Sequence, residues 1–119
     1  MHGMKRWYKP GMKLKVECIS RKSVPAANIS FFVNNEPAQS EHVWHRIEGD
    51  GMSPLGQLWT SYSTIQFMLQ KQHFPRGKIK IRCTALIYNI YTKSLEKSGE
   101  QERVRPTAGA AVWQPREAN

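Results

Sequence analysis

From Gly77 to Ile87 the odd positions Ile79, Ile81, Cys83, Ala85 and Ile87 are all apolar, while Lys78, Lys80, Arg82 and Thr84 alternate with them. A two-residue period of this kind predicts a strand with one buried and one solvated face. The buried row carries a cysteine. The other cysteine, Cys18, lies on a matching run in which Leu14, Val16 and Cys18 alternate with Lys13, Lys15 and Glu17. Two such strands, each with an inward cysteine and far apart in the chain, predict two sheets pinned face to face by a Cys18–Cys83 disulfide. The competing reading is a pair of unpaired core cysteines in a cytosolic β protein.

Further strand signals lie between and after these two. Ile29, Phe31 and Val33 alternate with Ser30, Phe32 and Asn34, and Asn34-Asn35-Glu36-Pro37 ends the run. Ile65, Phe67 and Leu69 give an inward row over 62–69. Residues 37–58 are less legible: 42–47 fits a short edge strand with Trp44 or Ile47 over the core rim. Gly49-Asp50-Gly51 and Ser53-Pro54 read as turns. Residues 70–76 form a corner, 88–90 a hairpin connection, and 91–97 a weakly periodic last strand. Short strands separated by turn signals, with no amphipathic helix, specify an all-β fold: an immunoglobulin-like β-sandwich with one inter-sheet disulfide. The sequence places it at 10–98, after a basic N-terminal linker (1–9) and before a flexible C-terminal tail (99–119), where Val112 and Trp113 are the apolar exceptions.

One domain of 119 residues is long enough for a two-layer core. Eighteen Lys and Arg against nine Asp and Glu give a net charge of +9. Such a charge attracts nucleic acid, anionic lipid or sulfated glycan without choosing among them. The plain reading is solubility. A basic cytosolic β-domain that binds nucleic acid is the rival function. It requires stacking aromatics interleaved with cations on one open sheet, whereas the basic rows at 13–15 and 78–82 fall on different sheets. No apolar run reaches membrane-spanning length, and the start has no signal-peptide core. A cross-core disulfide nevertheless points to an oxidising compartment, so the expectation is a fragment of a longer secreted or cell-surface protein.

The search for chemistry yields little. There is no nucleophile elbow, phosphate loop or His-Glu-x-x-His, so the chain reads as a non-enzyme without cofactor. His42 and His45 are close, but with the cysteines committed to a disulfide no zinc set is expected. Asn28-Ile29-Ser30 is an N-glycosylation sequon at a loop-to-strand junction; the alternative is a chance match locked into the sheet. The outward row Lys78, Lys80 and Arg82 shares its predicted sheet face with Phe32, with Leu86 and Tyr88 near the far end. An aromatic ringed by cations is a candidate protein-binding face. The bland alternative is a solvated lysine row that discourages edge pairing.

Several runs together resemble the second immunoglobulin domain of the beaten path family. They are Tyr8-Lys9-Pro10-Gly11, Leu14-Lys15-Val16-Glu17-Cys18, Ser23-Val24-Pro25-Ala26-Ala27-Asn28-Ile29, Asn34-Asn35-Glu36, Phe67-Met68-Leu69, His73-Phe74, Gly77–Ala85 and Ile90-Tyr91. The resemblance spans about 8–96. It implies a secreted or cell-surface recognition and adhesion glycoprotein of axon guidance, with sidestep-type cell-surface receptors as partners. It also implies a preceding immunoglobulin domain in the same protein. Phe31 stands where the family carries tryptophan, and Ile81 stands where a tyrosine corner would begin.

Overall fold

The structure, a computed structural model, describes residues 1–54, 56–88 and 90–102. The tail from 103, with Val112 and Trp113, lies outside the described residues. Eight strands are defined: β1 (Trp7–Tyr8), β2 (Lys13–Ser23), β3 (Asn28–Val33), β4 (Glu36–Pro37), β5 (Val43–Ser53), β6 (Gly56–Met68), β7 (Lys78–Ile87) and β8 (Tyr91–Gln101). One sheet has the order β1-β8-β7-β3-β4 and the other β2-β6-β5. This is an immunoglobulin-like β-sandwich.

The alternating rows become its core. Leu14, Val16, Ile65 and Phe67 of the three-stranded sheet are buried, as are Ile29, Phe31, Ile79 and Ile81 of the five-stranded one. Burying each large apolar side chain contributes about 1.5–3 kcal/mol, which is why the period-two rows dictate facing. Cys18 and Cys83 join the two sheets with their Cα atoms 6.5 Å apart. Phe31 sits directly across from Cys83 in the β3–β7 ladder and is buried beside the bridge.

Several boundaries differ from the sequence reading. The basic start is not a linker. His2 bridges to Glu17 on β2, and β1 then pairs in parallel with Glu100 and Gln101 of β8. Buried Tyr8 anchors it by packing on Gly99, where an added Cβ would lie 2.8 Å from the ring. Glycine therefore permits an approach that any side chain would block. The last strand accordingly runs to Gln101, and 99–101 belong to the sheet rather than to a tail.

The edge strand β5 extends to Ser53, well past Ile47. Trp44 and Ile47 are exposed, and Val43 packs on the core instead. Gly49-Asp50-Gly51 is not a turn but a register shift within β5. There the Asp50 carboxylate accepts a hydrogen bond from the Thr60 hydroxyl, which holds the irregular backbone to β6. The hairpin turns only at 53–56, so β6 begins at Gly56 rather than Tyr62. The β3–β4 turn is built on Asn34 and Asn35, both at positive φ, as a two-residue hairpin demands.

The corner at 70–77 stacks histidines on the core edge. His42 stacks on Phe67 with centroids 5.5 Å apart, and His73 meets the same ring edge-on at 5.0 Å. His73 Nδ1 accepts the Gln70 N–H at 2.8 Å. Burial, followed by the charge of His42, lowers the His73 pKa from its ordinary 6.5. The folded state thus resists a proton that the unfolded chain accepts. Stability contributed by neutral His73 is complete above about pH 6.5 and falls as the pH drops below it. The melting temperature should be lower at pH 5 than at pH 7.5, and His73→Gln should shrink that difference. An unchanged difference in thermal melts at the two pH values would show that His73 is not its source.

Candidate binding face

The outward row of β7 and the outward row of β3 share one face of the five-stranded sheet. Phe32 pairs with Arg82 across the ladder, Ser30 with Thr84, and Asn28 with Leu86. The structure thus brings together Phe32, Lys78, Lys80 and Arg82, as the alternation predicts. It also puts Asn28 of the sequon on the same face. Asn28 is exposed as the first residue of β3.

Phe32 is not a free aromatic. The Arg82 guanidinium lies 4.3 Å over its ring centroid, and the ring is half-buried. A cation over an aromatic face is attracted by its quadrupole, worth about 0.5–1 kcal/mol at an exposed site. The pair sets a guanidinium-capped aromatic at the middle of the face.

The cations are also not a bare row. Across the β7–β8 ladder Lys78 faces Glu100, and Arg82 faces Glu96. Lys80 Nζ lies 3.6 Å from the Glu96 carboxylate. The lysine backbone is fixed too: Lys80 donates its N–H to Asn34 Oδ1, and Asn34 returns its own N–H to the Lys80 carbonyl, both at 2.9 Å. Asn34 Nδ2 reaches the His73 carbonyl at 3.0 Å, tying the face to the corner. The face is therefore a mosaic of both signs around an aromatic, which suits a protein surface better than a polyanion. The acids Glu96 and Glu100 were invisible as partners because their facing depends on the β7–β8 register.

Toward the hairpin tip the face turns apolar. Leu86 is exposed, Tyr88 is 78% exposed and Ile90 is 68% exposed. The sequence reading placed Ile90 and Tyr91 at the hairpin and in the family resemblance, but not on a binding face. A glycan on Asn28 would stand beside Leu86 and compete with any partner for this end.

The other sheet carries its own outward pair, with Arg46 3.9 Å over the Tyr62 ring. Lys13 and Lys15 lie on this second sheet, so the basic rows are divided between opposite surfaces. His42 and His45 do not converge: His42 stacks on Phe67, and His45 Nδ1 pairs with Ser63 Oγ at 2.5 Å. Among the described residues no group of three or more His, Cys, Asp or Glu side chains is placed to hold a metal ion, and no helix is long and apolar enough to cross a membrane.

No family model matches the chain, and no curated protein matches it. Among solved structures it is similar to Rst D1-D2, with a TM-score of 0.57 and 18% identity. The match covers 81% of this chain and 43% of that one, so this chain spans less than half of that neighbour. At such identity the likeness is one of fold, and it fits the two disulfide-pinned sheets described above.

Proposed function

We propose that this chain is an extracellular recognition module of the beaten path type. It would bind a sidestep-type cell-surface receptor through the outward face of β3 and β7, in a protein that carries a preceding immunoglobulin domain. The observation that carries this reading is the Phe32–Arg82 pair on the outward sheet face. The core does not require an aromatic there, since Phe31 already fills the inward place. Aromatic and arginine side chains are the residue types that most often anchor protein interfaces. The inter-sheet disulfide supports an oxidising, secreted or cell-surface setting. A sulfated glycan would be a weaker fit, because Glu96 and Glu100 offset the cation row.

Surface plasmon resonance against a sidestep-type ectodomain and against heparin tests this reading. The protein should bind the ectodomain, and Phe32→Ala should weaken binding about tenfold or more, a loss of about 1.4 kcal/mol or more. The Lys78→Glu/Lys80→Glu pair should also weaken it. Its melting temperature should stay close to wild type, because exposed substitutions usually cost within about 0.5 kcal/mol each. Binding to heparin alone, lost steeply with added salt, would replace protein recognition with a charge-driven contact. Wild-type binding to the ectodomain that neither variant alters would move the site off this face.

A further inference from the structure

Among the described residues, the five-stranded sheet has an edge that no strand fully closes. β8 pairs with β7 along Tyr91–Glu100, but β1 covers its other side only at Glu100 and Gln101. There the Glu100 and Glu102 N–H groups donate to the Arg6 and Tyr8 carbonyls. Alternation along the strand therefore aims the backbone groups of Thr92, Ser94, Glu96 and Ser98 at the same outer side. Upstream of Lys5 the chain leaves this edge. Gly3, at a φ of 104°, lets it cross to the other sheet, where His2 and Glu17 exchange both backbone hydrogen bonds at 2.8 Å. Met1 ends beside the gap, its carbonyl 3.4 Å from Lys97 Nζ.

Beneath the free edge lies a groove of about 470 Å³ between the end of β2 and the upper half of β8. Its floor is the Cys18–Cys83 bridge with Ala85 and Ile87, and Ile19 and Leu95 form its walls. Leu95 lies across from buried Cys83 and so points inward, yet it remains 41% exposed. The inward row of β8 is thus built to face something that the opposing sheet does not supply. Ser23 also lines the groove, and its buried Oγ has no hydrogen-bond partner.

The charged residues of the rim are basic: Arg21, Lys22 and Lys93 line the groove, and among the described residues no acid does. This charge disfavours a second copy paired edge to edge, which would bring two such rims together. Outward from the edge, Glu96 disfavours acids on that side.

We propose that the upper edge of β8 and the groove beneath it form a β-addition site. Its ligand is an extended peptide with apolar residues facing inward, small polar residues facing outward, and an inward carboxylate opposite Lys93 and Arg21. Backbone hydrogen bonds to the edge provide the common binding energy, and the groove selects the alternate side chains. The site is separate from the Phe32 face and does not depend on the function proposed for it.

The test is fluorescence anisotropy of the full chain with a fluorescein-labelled peptide, Glu-Thr-Val-Thr-Val-Thr, and with its counterpart carrying Lys in place of Glu. The Glu peptide should bind saturably, and the Lys peptide about tenfold more weakly. Lys93→Glu should reverse that preference. Ser94→Pro removes an outward N–H and the Ser94–Thr84 hydroxyl contact but no backbone bond to β7, and should abolish binding. Ser94→Ala, which loses only the hydroxyl contact, and Phe32→Ala should leave it unchanged. Amide exchange on wild type gives a readout that needs no variant: the peptide should slow Thr92, Ser94, Glu96 and Ser98. No saturable binding up to about 1 mM, equal binding of the two peptides, or peptide binding without slowed exchange at those amides overturns the proposal. So does a concentration-dependent dimer that uses this edge in place of the peptide.

Discussion

Phe31→Ala is expected to destabilise the domain by about 3–5 kcal/mol, while Phe32→Ala costs much less. The two residues are neighbours of the same type, so the difference isolates facing. Phe31 points into the core, is 3% exposed and lies across from Cys83. Truncating it removes apolar burial and leaves a cavity beside the disulfide, which the bridged sheets cannot collapse to fill. Phe32 points out and loses chiefly its contact with the Arg82 guanidinium. Urea melts of the two variants measure this directly. If Phe32→Ala were the costly change, the register of β3 would be displaced by one residue and every facing on that strand would reverse.

Removing the disulfide should have an effect of similar size. Cys18 and Cys83 are 65 positions apart, and closing a loop of that length stabilises the fold by about 4 kcal/mol on the chain-entropy estimate. The double variant Cys18→Ala/Cys83→Ala should therefore lose about 2–5 kcal/mol. Because the bridge also floors the groove under β8, its loss deepens an existing opening rather than creating a sealed void. Reductant should lower the wild-type melting temperature toward that of the double variant and leave the double variant unmoved. Equal sensitivity of both proteins to reductant would exclude the bridge as the source of the stability.

The strands that were legible are those with several consecutive apolar inward positions buried between the sheets. β2 and β7 show this plainly, with Leu14, Val16, Ile79 and Ile81 fully buried. β3 was legible for the same reason, with Ile29 and Phe31 buried. The β8 strand was not, because its inward row reads Tyr91, Lys93, Leu95, Lys97 and Gly99. Lys93 can occupy that row because the upper half of β8 faces the groove, and Lys97 reaches out to the Met1 carbonyl. The glycine is there because Tyr8 presses on it. Weak periodicity was thus a true report of a half-covered strand, and it hid the end of the domain.

β5 was legible only at its start, as the edge strand at 42–47, and its continuation to Ser53 was hidden for a related reason. Beyond Val43 its residues are exposed almost throughout, so no apolar row marks it, and Gly49-Asp50-Gly51 imitates a turn. The candidate face was half legible. Alternation placed Phe32, Lys78, Lys80 and Arg82 together, but only the β8 register reveals that Glu96 and Glu100 answer the cations. That pairing changes the face from a polyanion trap into a mixed surface, and with it the class of partner it suits.

Recognition through the outward face of β3 and β7, as proposed, should be visible by hydrogen–deuterium exchange of the protein, alone and saturated with a sidestep-type ectodomain. Exchange should slow in peptides spanning 28–33 and 78–86, with the β5–β6 hairpin unchanged. Protection confined to β5 and β6, or no protection anywhere at saturating receptor, would contradict it.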